Sequence, residues 1–132
     1  MSFAAEIGRI GEQMVANYLK SRGYIILRQN FRSDFGEIDI VAESEKLLLF
    51  VEVKTRSEDY LVAPADAVDT VKQGRIAKTA AVFLERAYLK CEHRFDVAEV
   101  TYRKDSMGEY HFSLNYIKNA FSANVKNDFA NL

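Results

Sequence analysis

The charged residues of the run GEIDIVAESEKLLLFVEVKTR, residues 36–56, are the ones whose types and spacing suit chemistry. Side chains alternate along a strand, so Glu52 and Lys54 of FVEVK share a face, about 6–7 Å apart. By the same parity Glu37 and Asp39 share a face of the preceding run, with Ile38 and Ile40 on the other. The polar tetrapeptide ESEK joins the two runs as an antiparallel hairpin. A loop from Ser44 to Leu47 sets Asp39 opposite Glu52; a two-residue shift sets Glu37 opposite Glu52 and Asp39 opposite Phe50. Both registers crowd Glu37, Asp39, Glu52 and Lys54 at one end of the hairpin.

Opposed carboxylates repel, and partial burial raises the penalty. Lys54 offsets part of it. A hard divalent cation offsets more, because Mg²⁺ takes one or two carboxylates and fills its octahedron with waters and substrate phosphate. Such an ion polarises a phosphoryl oxygen and lowers the pKa of a bound water. Lys54 would then hold the attacking water or neutralise charge growing on the phosphate. Glu12, at the border of the first helix's apolar stripe, is placed to reach the sheet rim and join the outer ligands; the plainer reading is a solvated glutamate. Arg56 continues the Lys54 strand as a phosphate ligand. Asp96, in RFDVAEV, has pairing with Arg94 as its simplest role. Cys91, His93 and His111 show no spacing that builds a nucleophile–base pair.

These residues need elements to position them. Ser2 caps a helix running to about Leu19, with Ile7, Ile10, Met14 and Tyr18 as an apolar stripe beside Gly11 and Val15. Gly8 and Gly11 each cost about 1 kcal/mol against Ala there, which predicts close packing against that face. Strands follow at Tyr24–Leu27, Glu37–Ala42 and Leu47–Lys54. A second helix spans about Thr70 to Lys90, with Ile76, Ala80, Phe83, Leu84 and Ala87 on one face. Strands at Phe95–Tyr102 and Tyr110–Leu114 flank the turn KDSMG, and a closing helix covers Tyr116 to Val125. The order predicts an α/β fold with one central mixed sheet flanked by helices. The 132 residues form one domain, 1–132, with 126–132 as a frayed tail.

Composition bounds the function. One cysteine excludes a disulfide framework and a cysteine-rich zinc centre, and no run reaches the roughly 20 apolar residues of a membrane span. A reducing, cytoplasmic setting is the expectation. Eighteen Lys and Arg against 19 Asp and Glu leave a charge of −1, which taken whole argues against nucleic acid. The charge is segregated, however. Lys20, Arg22, Arg28 and Arg32 form a basic block before the acidic block Asp34, Glu37, Asp39, Glu43 and Glu45. Lys72, Arg75, Thr79 and Arg86 form a polar stripe on the second helix. Basic residues flanking an acidic cleft, with Arg56, Arg32, Lys72 and Arg75 as phosphate ligands, suit a nucleic-acid backbone.

The stretches GRIGEQMVANYLKSRGYIILRQNFRSDFGEIDIVA, FVEVKTRS, RFDVAEV and YIKNAF resemble the YraN family of small bacterial proteins, over about residues 8–121. That family is similar in pattern to archaeal Holliday junction resolvases and is placed in the PD-(D/E)XK, restriction-endonuclease-like superfamily. The resemblance implies an αβββαβ core and Mg²⁺-dependent phosphodiester hydrolysis, with Mn²⁺ as a substitute. It matches Glu12 to the first-helix acid, Asp39 to the metal-binding Asp, and Glu52 and Lys54 to the E-x-K pair. Val53 would lend its backbone carbonyl to the metal. Ile38 stands where the signature has proline, so the assignment rests more on E-x-K. The resemblance also implies DNA, branched DNA in particular, as substrate, and a homodimer.

Two other readings use the same residues. One is a non-catalytic nucleic-acid-binding or adaptor module of a DNA-processing system on an inherited nuclease fold. The other is a structural ion-pair cluster of these carboxylates with Lys54 and Arg56.

Overall fold

The structure, a computed structural model, describes residues 2–59, 68–87 and 92–122. Helix α1 (Phe3–Ser21) opens the chain, followed by β1 (Ile25–Ser33), β2 (Gly36–Ser44) and β3 (Leu47–Ser57). Helix α2 (Thr70–Ala87) precedes β4 (Glu92–Lys104) and β5 (Tyr110–Phe121). The five strands lie in sequence order, with β3 and β4 parallel and the other pairs antiparallel. This is the α/β architecture with the restriction-endonuclease-like αβββαβ core, extended by β5.

Each helix covers one face of the sheet. Val15, Ala16 and Leu19 of α1 pack on Ile40, Ala42, Leu49, Val51, Ala98 and Val100. Ile76, Ala80, Phe83 and Leu84 of α2 pack on Phe31, Ile38, Val41, Leu48, Phe50 and Phe95. The central strand β3 therefore supplies both cores, which is why LLLFV is apolar without alternation.

The expected caps and faces hold with one rotation. Ser2 accepts a hydrogen bond from the Ala5 N–H at 3.1 Å, as its N-cap position predicts. The buried face of α1 is Ile7, Gly11, Val15, Ala16 and Leu19, whereas Ile10, Met14 and Tyr18 of the expected stripe are half-buried at its margin. Gly11 explains the rotation: a Cβ there would run into the Thr55 side chain, so the helix seats β3 against its bare backbone. Gly8 departs from the expectation, for nothing lies within 4 Å of where its Cβ would stand. The two glycines should thus respond oppositely in denaturant unfolding. Gly8→Ala should raise stability by about 1 kcal/mol, and Gly11→Ala should lower it by about 1–3 kcal/mol through overpacking.

The predicted closing helix is a strand through Phe121; its remainder, 123–125, lies outside the described residues, as do the tail 126–132, Cys91 and the 88–90 end of α2. Ile117 and Phe121 are four apart, a spacing that both helical and strand periods allow. Long-range bonding decides. Asp96, fully buried, accepts from Arg94 Nε (2.8 Å) and a terminal guanidinium nitrogen (2.9 Å), from Tyr116 Oη (2.6 Å) and from Asn119 N (2.8 Å). The last two bonds pin the end of β5 to β4, and Asn119 takes φ 53° at the bulge. Asp96 has the structural role expected of it.

Candidate active site at the parting of β2 and β3

The hairpin turn is Glu45–Lys46, and the ladder runs from Ser44↔Leu47 to Ile40↔Val51. That register puts Asp39 in line with Glu52, the first of the two alternatives. The ladder then stops. The Val53 N–H donates to Asp39 Oδ2 at 2.8 Å, so a carboxylate occupies the gap where a strand would continue.

Strand parity fails at this point. Ile38 packs in the α2-side core and Ile40 in the α1-side core, although residues two apart on a regular strand share a face. The expected placing of Ile38 with Ile40 is therefore corrected, and Glu37 and Asp39 are not a simple same-face pair. On β1, Asn30 adopts φ 53°, and neither Asn30 nor Asp39 appears in the β1–β2 ladder. A left-handed residue across from the slip lets β2 change faces. Asp39 consequently stands between the faces, lining a cleft on each side.

From the α2 side come Glu52 and Lys72, and Lys54 of β3 lines the α1-side cleft. Glu52 is buried, with Lys72 Nζ at 2.7 Å and Lys54 Nζ at 3.6 Å. From the α1 side comes Glu12, half-buried. With its amide nitrogen turned toward the acids, Asn30 donates to Glu12 Oε1 (3.2 Å) and Glu37 Oε1 (2.9 Å). Glu37 also pairs with Arg32 at 3.3 Å. Asp39 has no ion pair among the described residues.

The electrostatics follow from this crowding. Burial, then the Glu52 charge, push the Asp39 carboxyl up to about 7; Glu12 and Glu37 add to the rise, and the Val53 bond opposes it. Burial also raises Glu12, with Glu37 and Glu52 adding and bonds to Asn30 and Asp39 opposing. Lys54 is lowered by burial and by the neighbouring Lys72 ammonium, against the pull of Glu52 and Asp39. Burial alone would lower Lys72, but its bonds to Glu52 and Lys54 and the nearby acids outweigh this, and it rises. One ammonium is thus held firmly on Glu52 while the other gives up its proton more readily.

Asp39, Glu52, Lys54, Glu12 and Glu37 come together as the sequence reading requires, and Val53 reaches Asp39 through its N–H, whereas the resemblance implied its carbonyl. Lys72 belongs inside this group as the partner of Glu52, beyond its expected role as a phosphate ligand. Arg75 lines the α2-side cleft with Glu37, Asp39, Glu52 and Lys72. Arg32 is exposed and engaged by Glu37, and Arg56 is half-buried outside the linings of both clefts. The α2 stripe is not one solvent face: Thr79 is fully buried, donating to Arg75 O at 2.9 Å and bonded to Ser33 Oγ at 2.9 Å. The Arg86 side chain lies outside the described residues. Lys20 and Arg22 do not flank the cleft either. They lie at the far end of α1, where Arg22 lines another hollow with Tyr18, Arg94 and Tyr116.

Two contributors escaped the sequence reading. Asp69 caps α2, accepting the Lys72 N–H at 2.8 Å, and lines the α2-side cleft. The acid directly before Thr70 was its signal. Asn30 carried none, since its role depends on a left-handed backbone that asparagine only permits.

The donor set suits a hard divalent cation. Three carboxylates, Asp39, Glu12 and Glu37, gather around one gap, oxygen donors only, and Asp39 makes no ion pair among the described residues. Asp39 and Glu52 would hold such an ion, with Glu12 in the outer ring.

Residues 11–100 match the family described as "Uncharacterised protein family UPF0102". A UPF0102 protein of Clostridium botulinum (strain 657 / Type Ba4) is 41% identical over 118 residues, covering 88% of this chain and 94% of the relative. A UPF0102 protein of Dictyoglomus turgidum is 39% identical over 117 residues, covering 88% and 97% respectively. Similarity of this extent spans every residue of the candidate site.

Proposed function

This chain belongs to the uncharacterised protein family UPF0102, the YraN family of the sequence resemblance, and we propose that it is a Mg²⁺-dependent DNA endonuclease. The observation that carries the reading is Asp39: unpaired by any cation among the described residues, flanked by Glu12 and Glu52, and set where two clefts meet beside Lys54.

Bound divalent metal supplies Lewis-acid polarisation of the scissile phosphate and a lowered pKa for the attacking water. The protein supplies the rest. Asp39 and Glu52 place their oxygens at the gap, and Lys72 holds the Glu52 carboxylate in position. Lys54 Nζ, more easily deprotonated than an exposed lysine, orients the water and takes its proton. The water oxygen bonds to phosphorus, one ester P–O bond breaks, and the departing oxygen takes its proton from a solvent water. Lys72 and Arg75, on the α2 side, hold the neighbouring phosphates. Branched DNA, Mn²⁺ as a substitute metal and a homodimer complete the reading and come from the family resemblance.

The ion pairs of Glu52 with Lys72 and Lys54 favour a second reading, an ion-pair cluster that binds no metal. Calorimetric titration of Mn²⁺ separates the two. The nuclease reading expects a binding isotherm with the wild type and at least roughly tenfold weaker binding by Asp39→Asn. No heat of binding from folded wild type would leave the ion-pair cluster, or a non-catalytic adaptor module, as the account of these residues.

A further inference from the structure

The two clefts that meet at Asp39 carry different chemistry. The α2-side cleft is lined by Glu37, Glu52, Asp69, Lys72 and Arg75 together with Val71 and Ile76 and, among the described residues, by no aromatic ring. The α1-side cleft, about 500 Å³, holds Glu12, Asp39 and Lys54 together with Tyr102. Its helical wall is Ala4, Ala5, Ile7, Gly8, Arg9 and Glu12 of α1, and Gly8 leaves a gap in it, with nothing within 4 Å of where its Cβ would stand. The open space at Gly8, unexplained by packing, is this cleft.

Tyr102 heads a ledge of rings. Phe3 lies at 6.3 Å, Tyr110 at 6.2 Å and Phe112 at 6.0 Å from it, centroid to centroid. Phe3 is 56% exposed and Tyr110 40%, far more than a core cluster leaves open. Cations border the ledge: Lys104 Nζ lies 5.6 Å from the Tyr110 ring centre, and Arg9 lines the cleft. One cleft thus brings together the Tyr102 ring, the open space at Gly8, the cation Arg9, and Glu12, Asp39 and Lys54 of the phosphate-directed group. A nucleotide satisfies all of these together, its base on the ring and its phosphate at the acid site. A base inside a duplex is covered by its neighbours, so the occupant is unpaired.

We infer that the α1-side cleft is a stacking site for an unpaired nucleobase flanking the scissile phosphate, which makes DNA with unpaired nucleotides at the cut the substrate class. The inference rests on the nuclease reading for its phosphate and on Tyr102 and Gly8 for its base.

Fluorescence anisotropy in Ca²⁺ buffer tests it, with a labelled flap duplex, a fully paired duplex, and the same flap duplex with abasic residues at its first two unpaired positions. Wild type should bind the intact flap roughly 5- to 100-fold tighter than the abasic flap, the range of one base–aromatic stack. Tyr102→Ala should lose that preference, with no further loss on the abasic flap, and Tyr102→Phe should keep it. Gly8→Leu, whose side chain enters the open space of the cleft, should lose it as well. Equal affinity of wild type for intact and abasic flaps overturns the inference, as does a folded Tyr102→Ala that retains the preference or a wild type that binds none of the three. Cleavage in Mg²⁺ is scored separately. Cutting without any base-dependent affinity keeps the nuclease and removes the stacking site; base-dependent affinity without cutting does the reverse.

Discussion

Glu52→Gln and Lys54→Ala should each lower the rate of metal-dependent DNA cleavage by roughly 10²–10³-fold or more, the scale of losing one preorganised charge at a reacting centre. The two losses have different causes. Glu52→Gln removes a negative charge from the metal-directed gap and frees Lys72, now 2.7 Å away, to move. Lys54→Ala leaves the carboxylates in place and removes the group that handles the water. Mn²⁺ binding should therefore weaken in Glu52→Gln and persist in Lys54→Ala. Lys46→Ala, in the exposed hairpin turn, should cut at the wild-type rate. Stopped-time gel assays with folded proteins read all three. Full activity in Lys54→Ala would remove the lysine from the mechanism.

Asp39→Asn has the second large effect, on stability, and its sign identifies the site. A carboxyl with its pKa raised from 3.8 to about 7 favours the folded state only while protonated. That contribution is complete below about pH 4, the unfolded value, and is lost as pH rises through about 7. Metal-free wild type should accordingly lose melting temperature between pH 5 and 8 more steeply than Asp39→Asn, which cannot ionise. A rise from 3.8 to about 7 corresponds to at most about 4 kcal/mol. Glu52 and Glu12 share the repulsion, so about 2–3 kcal/mol is expected at pH 8, a Tm gain of roughly 10 °C for the variant in EDTA. Mn²⁺ should raise the wild-type Tm and leave the variant's nearly unchanged. A lower Tm for Asp39→Asn in EDTA at pH 8 would instead make the carboxylates a structural ion-pair cluster.

Much of this site was legible in the sequence because the hairpin carries its own register. ESEK and the doubly buried LLLFV set β2 against β3, and parity along β3 put Glu52 with Lys54. The illegible part lies where the strand breaks its period. Nothing in EIDIV shows that Ile38 and Ile40 face opposite cores, because the slip depends on Asn30 in β1 and on Asp39 taking the Val53 N–H. The break is functional in consequence. On a regular strand Asp39 would meet either Glu12 or Glu52, and here it meets both.

The closing segment failed for a related reason. YIKNAF has a spacing that two periods share, and the buried Asp96, far away in sequence, decides between them through Tyr116 and Asn119. Burial, then the bond to Asp96, keep the Tyr116 phenol protonated well above its ordinary range, so it remains a donor. Charge blocks misled in the other direction. Adjacency in sequence suggested that Lys20 and Arg22 border the acids, but the length of α1 carries them to its other end. Besides Lys54 of β3, the cations that reach the site, Lys72 and Arg75, come from α2. Among the described residues no helix is long and apolar enough to cross a membrane.

The most direct test of the central claim is a single cleavage experiment on linear, flapped and four-way DNA, using folded wild type in Mg²⁺ and in EDTA, beside Asp39→Asn in Mg²⁺. The account predicts discrete products from wild type in Mg²⁺ on at least one DNA, and none in EDTA or with Asp39→Asn over the same time. Intact DNA of every shape from folded, metal-bound wild type would contradict it, and so would equal cutting by Asp39→Asn.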